Sequence, residues 1–321
     1  MFVRSIRLLM LAVSLGVVAT SAPAQPYPSK PIRIVVPFGP GSATDTITRL
    51  VGERASKALG VPIVVDNKPG ANGLIAAREV ATSPKDGYTL IVSSNSAHAA
   101  NLYLYKDLGY DPVKDFTPVT GLTTNPHVIV VRSSLPVQNM KEFIQYGKDN
   151  PGKLNFGAGN TGSLANASLL KSLAGFTATE VQYKSQPAAV TDLLGGRIDF
   201  ISIDYFIVAD HIKVGTLRPL AVTSTTRLKA LPNVPSLAET LPGYELNGWV
   251  AAFAPAGTPP DIVAKLNKTF IDVMSTPAWE EYVERQGMLS FPTTPAQLGT
   301  FQQEQVAKWA DVLKKSGVER Q

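Results

Sequence analysis

The 321-residue chain contains no cysteine. Disulfides, thiolate nucleophiles and zinc–thiolate sites are therefore excluded, and the fold rests on its core alone. Histidine is nearly as scarce: His98, His127 and His211 are too scattered for a zinc spacing. No G-x-S-x-G elbow offers a setting for a nucleophile, and no run of lysine or arginine points to nucleic acid. The formal charge is only +5, of which Arg4 and Arg7 supply two, leaving +3 beyond them. A weak, dispersed positive field of this kind suits a small acidic ligand. Past the first 24 residues no apolar run nears the ~20 residues that a membrane span requires.

The N-terminus supplies the first positive signal. Arg4 and Arg7 precede the 12-residue apolar run Leu8 to Ala19, and the segment closes on Ala22-Pro23-Ala24. A basic start, a short apolar stretch and an A-x-A end describe a secretory signal peptide over Met1–Ala24. The alternative, a core helix, seldom starts at residue 1 and stops at small residues. The mature chain is expected to begin near Gln25, exported and soluble. Its length of about 297 residues (321 less 24) is too great for one small core and suits two lobes.

From Tyr27 to Tyr88 the pattern is strand, glycine-proline turn, helix, strand, glycine turn. Ile34–Val36 is an unbroken apolar run, as in a strand buried on both faces, and it stops at Pro37-Phe38-Gly39-Pro40-Gly41. The α/β rhythm continues through strands Thr89–Ser93 and His127–Arg132 and helix Val137–Asn150. A second series follows: Lys153–Phe156, a helix to Ala174, Thr179–Tyr183, helix Pro187–Leu194, strand Ile198–Ile203, helix Tyr205–Val214 and strand Arg218–Thr223. A late strand at Trp249 leads into helices Pro260–Ser275, Ala278–Gln286 and Pro295–Lys315. Two such series with a late return strand predict an α/β protein of two hinged lobes. Residues 25–124 with 248–321 form the first and 125–247 the second. The site is expected between them, at the carboxyl ends of their strands.

Two turns are candidates for that site. Gly157-x-Gly159-x-x-Gly162 follows a strand and opens a helix, which matches the dinucleotide fingerprint on its face. Three glycines alone are weak, and exported proteins rarely use nicotinamide cofactors. An anion cradle of backbone N–H groups, with the hydroxyls of Thr161 and Ser163, and a plain tight turn are the other readings. Its partner is Pro40-Gly41-Ser42-Ala43-Thr44-Asp45, where Ser42, Thr44 or Asp45 can also cap the helix. Gly70 and Gly73 are read as a tight loop packed against that first turn. His127, beside aliphatic residues, reads as structural, whereas His98 lies in a loop that can face the cleft. Asp204 ends a strand as either a solvated cap or a cleft carboxylate, and Tyr183-Lys184 holds the matching place on its own strand.

The blocks YPSKPIRIVVPFGPGSATD, VVDNKPGANG, DGYTL, YDPVKDFTPV, LGGRIDF, LRPLAVTS, LPNVPSLAET and APAGTP, with Arg227 and the late Glu304, Lys308 and Trp309, stand in one order over nearly the whole mature chain. In these the sequence resembles the extracytoplasmic solute-binding receptors of tripartite tricarboxylate transporters, the Bug-type receptors. The resemblance implies a two-lobe periplasmic binding-protein fold of type II-like form. It implies a ligand carboxylate pinched between turns that correspond to Phe38, Gly41, Ser42, Ala43, Thr44 and Asp45 in one lobe and Gly159, Asn160, Thr161, Gly162 and Ser163 in the other. Ser94, Asn95 and Ser96 would stand alongside, and Asp204 would reach a ligand amine or hydroxyl. Ser42 stands where the family usually has a second glycine, and Asn166 near where many members carry histidine. The expected function is periplasmic capture of a small carboxylate and delivery to membrane permease subunits. No catalysis, cofactor, metal or nucleic acid is expected, and the chain is read as a monomer. The runner-up readings are a carboxylate sensor for a signalling partner and a secreted α/β enzyme. Gly159→Asp is expected to abolish binding and leave the fold intact.

Overall fold

The computed structural model describes residues 26–318 and 320; the segment Met1–Ala24, expected to be a signal peptide, lies outside them. The chain opens with β1 (Ile32–Val36), α1 (Ala43–Leu59), β2 (Ile63–Asn67), α2 (Leu74–Ala81) and β3 (Thr89–Ser94). These three strands are parallel in the order β2-β1-β3. Both faces of this sheet are covered, so neighbouring residues of one strand enter different cores. Ile32 and Ile34 belong to one apolar cluster and Val35 to another.

A π-helical turn at Ser96–Ala100 and the short α3 (Asn101–Leu104) lead to β4 (Phe116–Asn125) and β5 (His127–Arg132). β4, reading FTPVTGLTTN, is legible as no simple alternation because its register against its partner slips twice. Each slip leaves a residue unpaired, Val119 and Leu122, and both enter the core. The second series is α4 (Met140–Asp149), β6 (Leu154–Ala158), α5 (Thr161–Ala174), β7 (Ala178–Gln182), α6 (Gln186–Leu194), β8 (Phe200–Asp204), α7 (Tyr205–Lys213) and β9 (Leu217–Val222). The chain then returns through β10 (Gly248–Pro255), α8 (Pro260–Met274), α9 (Pro277–Arg285), β11 (Leu289–Ser290) and α10 (Pro295–Ser316). Each of α8, α9 and α10 carries proline at its N-terminus, where the missing N–H is not needed.

Two sheets result, one to a lobe: β11-β4-β10-β3-β1-β2 and β7-β6-β8-β5-β9. Only Pro126 separates β4 from β5, and Gly248 at the start of β10 pairs with Asn125 at the end of β4. Thr223, just past β9, joins this junction. Its Oγ1 accepts from the His127 N–H at 2.9 Å, and its own N–H donates to His127 O at 2.9 Å. The two crossings between sheets therefore lie side by side. A third link is α10. It follows the β11 edge of the first sheet, and its far end packs on α5 of the second, where Ser172 Oγ donates to Lys315 O at 3.0 Å. One apolar cluster runs along this side from Val35 and Ile91 through Trp309 and Leu164 to Phe156 and Phe200.

The centre of the second lobe is aromatic. Phe200 is fully buried, with ring centroids of Phe143 at 5.0 Å, Phe156 at 5.6 Å and Phe176 at 6.3 Å. Truncation to Phe200→Ala should lower unfolding free energy by about 3–5 kcal/mol. Urea denaturation checks this, and a loss under about 1 kcal/mol would mean the cluster relaxes into the cavity.

Candidate functional site

In each sheet the first strand of the series has neighbours on both sides, β2 and β3 around β1, and β7 and β8 around β6. The turns leaving β1 and β6 at their carboxyl ends lie at these reversals of strand order, where an open α/β sheet leaves a crevice. They face each other across the lobes.

The first turn is closed internally. Gly41, at φ 78°, bends the chain so that its N–H donates to Asp45 Oδ2 at 2.9 Å. Ser42 caps α1 by accepting from Asp45 N–H at 3.3 Å. The N–H groups of Ala43 and Thr44, in the same first helical turn, have no intrahelical acceptor. The second turn repeats the design. Asn160 accepts from Ser163 N–H at 2.8 Å, while Ser163 Oγ accepts from the N–H groups of Gly159 and Asn160, both at 3.0 Å. Thr161 and Gly162 keep their N–H groups uncommitted within the helix.

Two cavities flank these turns. The inner one, about 20 Å³, is lined by Ala43, Thr44, Ser94, Asn95, Asn125, His127, Asn160, Asp204 and the start of β10. That is room for about one water. The outer one, about 240 Å³, is lined by Phe38, Gly159 and Tyr183 together with Asn72, Tyr105, Gln182 and Lys184, the one charged side chain in that wall. The lobes touch beside it: a Cβ on Gly39 would stand 3.5 Å from Ser185 Oγ, and one on Gly41 3.9 Å from Pro187 Cγ. The loop carrying Asn72 is strained, with Ala71 at φ 44° and Asn72 at φ 50°. It is held by Asn101 Nδ2 donating to Asn72 O at 3.1 Å. An ion network beneath it joins Lys68 to Glu79 and Glu79 to Arg33, each at 2.6 Å.

Electrostatics separate the two aspartates. Burial would raise Asp45, but hydrogen bonds from Arg49, Gly41 and Asn67 outweigh it and hold the carboxyl below its ordinary range. Asp204 has no cation close by. Burial pushes it up to about 7, against the opposing pull of the Asn125 and Gln186 amides. His127 Nε2 stands 3.8 Å from Asp204 Oδ1, and burial pushes that imidazole down to about 4. With both groups pushed towards neutrality, a neutral acid beside a neutral imidazole is favoured over an ion pair. His127 Nδ1 meets Ser202 Oγ at 3.0 Å, but Ser202 is fully buried within β8 and cannot reach a substrate.

Most of the expected residues gather here, with corrections. Asp45 turns away from the cleft, to Arg49 Nε and Asn67 Nδ2, both at 2.9 Å, and braces the turn. Ser163 commits its hydroxyl to capping, so it presents none to a ligand. Ser96 is buried behind the cavity wall and does not line it. Tyr183 lines the outer cavity while its hydroxyl donates to Asp192 at 2.8 Å. His98 does not face the cleft: it is stacked on Phe253 at 4.0 Å in the core, which pushes it down to about 3. Asn166 braces Tyr244, accepting from its hydroxyl at 2.7 Å. Gly159 cannot take a side chain without damage, because a Cβ there would lie 2.4 Å from the Gln186 backbone nitrogen. Gly159→Asp would thus disturb the fold. Asn125, Gln186 and Asn72 were not anticipated. Asn125 was findable, since a residue at a lobe crossing borders the cleft by construction.

Residues 47–318 match the model of the tripartite tricarboxylate transporter family receptor. BugT of Bordetella pertussis is 34% identical over 304 residues, covering 94% of this chain and 93% of its own. Two solved structures superpose closely. Rpa4515 of R. palustris with adipate has a TM-score of 0.90 at 33% identity, covering 92% of this chain and all of its own. MatC of Rhodopseudomonas palustris with bound malate has a TM-score of 0.84 at 33% identity, covering 89% and 100%.

The raised Asp204 carries a pH signature. Its native form holds a proton from 3.8 up to about 7 while the unfolded carboxyl has lost it. Its contribution to stability is therefore complete below 3.8 and lost as pH rises through about 7. His127 acts in the opposite sense between about 4 and 6.5, but is common to both proteins compared. The stability of wild type relative to Asp204→Asn should fall steadily from pH 4 to pH 7 and then level off. Thermal unfolding of the pair across that window checks it; a difference that stays constant would mean Asp204 is ionised throughout.

Proposed function

The chain belongs to the tripartite tricarboxylate transporter receptor family, and from that premise we propose that it captures a small carboxylate between its lobes in the periplasm and delivers it to membrane permease subunits. One observation carries the reading: two helix N-termini from opposite sheets, each with uncommitted N–H groups, meet between an inner cavity of about 20 Å³ and an outer one of about 240 Å³. A carboxylate there accepts from Ala43 and Thr44 on one side and Thr161 and Gly162 on the other. Each such charge-assisted bond contributes about 1.5–3 kcal/mol net. The relatives solved with adipate and with malate carry such acids, which supports the class of ligand.

Binding is mechanical. The lobes, 25–124 with 248–321 and 125–247, part and close about the paired crossings at Asn125–His127 and Asn247–Gly248. The apolar contact of α10 with α5 stays on the hinge side, and the cleft opens where Gly39 meets Ser185. A ligand that touches both turns favours the closed state by its differential affinity, and no bond is made or broken. The receptor works as a monomer, matured by cleavage near Gln25.

Thermal unfolding of the mature protein against a panel of carboxylates tests the proposal. An acid at 100 times its Kd should add about 2.7 kcal/mol, several degrees in Tm. No shift from any acid would remove the carboxylate reading. Ala43→Asp gives a second test. It places a carboxylate at the first position of α1, which suits the helix dipole but occupies the anion site. Because Ala43 is buried against the first-lobe core, the variant should lose some Tm but still unfold cooperatively, and should lose at least about 100-fold in affinity, roughly the value of one or two of these bonds. Calorimetric titration showing wild-type affinity would move the site elsewhere.

A further inference from the structure

A carboxylate satisfies only half of the inner cavity. It accepts hydrogen bonds and donates none, so it matches the first-turn N–H groups and the unpartnered Nδ2 of Asn95. It offers nothing to Asn125 Oδ1 or Gln186 Oε1, which also lack partners, as does Gln186 Nε2, although these residues are 3% and 2% exposed. Nor does it meet Asp204, which ends β8 without capping α7 and is 4% exposed. Buried polar atoms left unpaired are costly, so the missing partner donates to these acceptors and, with Gln186 Nε2 also free, can accept as well.

Space says where that donor lies on the ligand. The inner cavity takes about 20 Å³ and the outer about 240 Å³, with the anion-binding turns between them. The body of the ligand extends outward past Phe38 and Gly159, and only a group of about one heavy atom fits inward. Such a group is bonded to the carbon next to the carboxylate. Charge then chooses between the two common donors. The N-termini of α1, α5 and α6 converge here, and an ammonium would add a cation to three positive helix ends. Asp204 is the one carboxyl in the cavity wall, and burial favours its neutral form, which donates and accepts at once.

We propose that the inner cavity is a hydroxyl-recognition subsite, formed by Asp204 with Asn125 and Gln186, that makes this receptor select 2-hydroxy carboxylates over their unsubstituted and 2-amino counterparts. The inference rests on the carboxylate reading and narrows it.

Matched sets test it by calorimetric titration at pH 6: propionate, lactate and alanine; succinate, malate and aspartate; phenylacetate, mandelate and phenylglycine. In whichever skeleton binds, the 2-hydroxy acid should bind at least about tenfold more tightly than the unsubstituted acid, one hydrogen bond's worth. The 2-amino acid should bind no more tightly than the unsubstituted one. Asp204→Asn, which still donates and accepts, should keep the hydroxyl preference to within about threefold, and Asp204→Ala should reduce it to near unity. Equal binding of hydroxy and unsubstituted acids would overturn the subsite, with a trapped water as the missing partner. Tightest binding of the amino acid, or loss of preference in Asp204→Asn, would show an ionised Asp204 and overturn it too. Should Asp204→Ala fail to fold, the wild-type and Asp204→Asn ratios decide alone. Absence of binding by every carboxylate, these and the wider panel, would overturn the receptor reading and the subsite with it.

Discussion

Uncommitted backbone donors at the first turns of α1 and α5 are the constraint around which this molecule is arranged. A helix leaves its leading N–H groups without acceptors, and burial makes that deficit costly. Here two such ends, from different sheets, are brought to one cavity with space for about one water. Closure without a ligand leaves like partial charges facing each other, while closure on an anion cancels both deficits together. The same property that destabilises the empty closed form therefore supplies the affinity.

The surrounding residues keep this arrangement specific. Asp45 and Ser163 commit their side chains within the turns; they satisfy the remaining donors of each turn so that the orientation of the free ones is fixed. Removing such residues would act through the turns. The strained loop at Ala71 and Asn72 serves the outer cavity in the same indirect way, held by Asn101 above and by the Arg33, Glu79 and Lys68 network below. Asp204 differs from these. It is buried beside the amides of Asn125 and Gln186 with no cation to pair it, and those amides keep unpartnered atoms of their own.

Much of the fold was legible before any coordinates. Ile34–Val36, the glycine-proline turn, His127–Arg132 and the proline-led late helices each carry a local signal that tertiary context did not override. β4 escaped notice because Pro118 and Gly121 break its alternation, and its two register slips make sense only against β10. His98 was open to a cleft reading because its loop position is local information, whereas the stacking on Phe253 joins residues far apart in the chain.

By itself the sequence determined an α/β chain of two series, two glycine turns that open helices, the first with a candidate cap, and, through a long set of ordered blocks, the family. Those features depend on neighbours within a few residues, or on block order, and both are written in the chain. The tertiary structure alone decided which donors remain free, since Gly41 and Gly159 donate inwards to side chains that could equally have faced the cleft. It alone decided that the amides of Asn125 and Gln186 meet at Asp204, and that Gly159 has no space for a side chain. The reason is that burial and partner geometry are sums over contacts between distant segments, and no local pattern of residues encodes them.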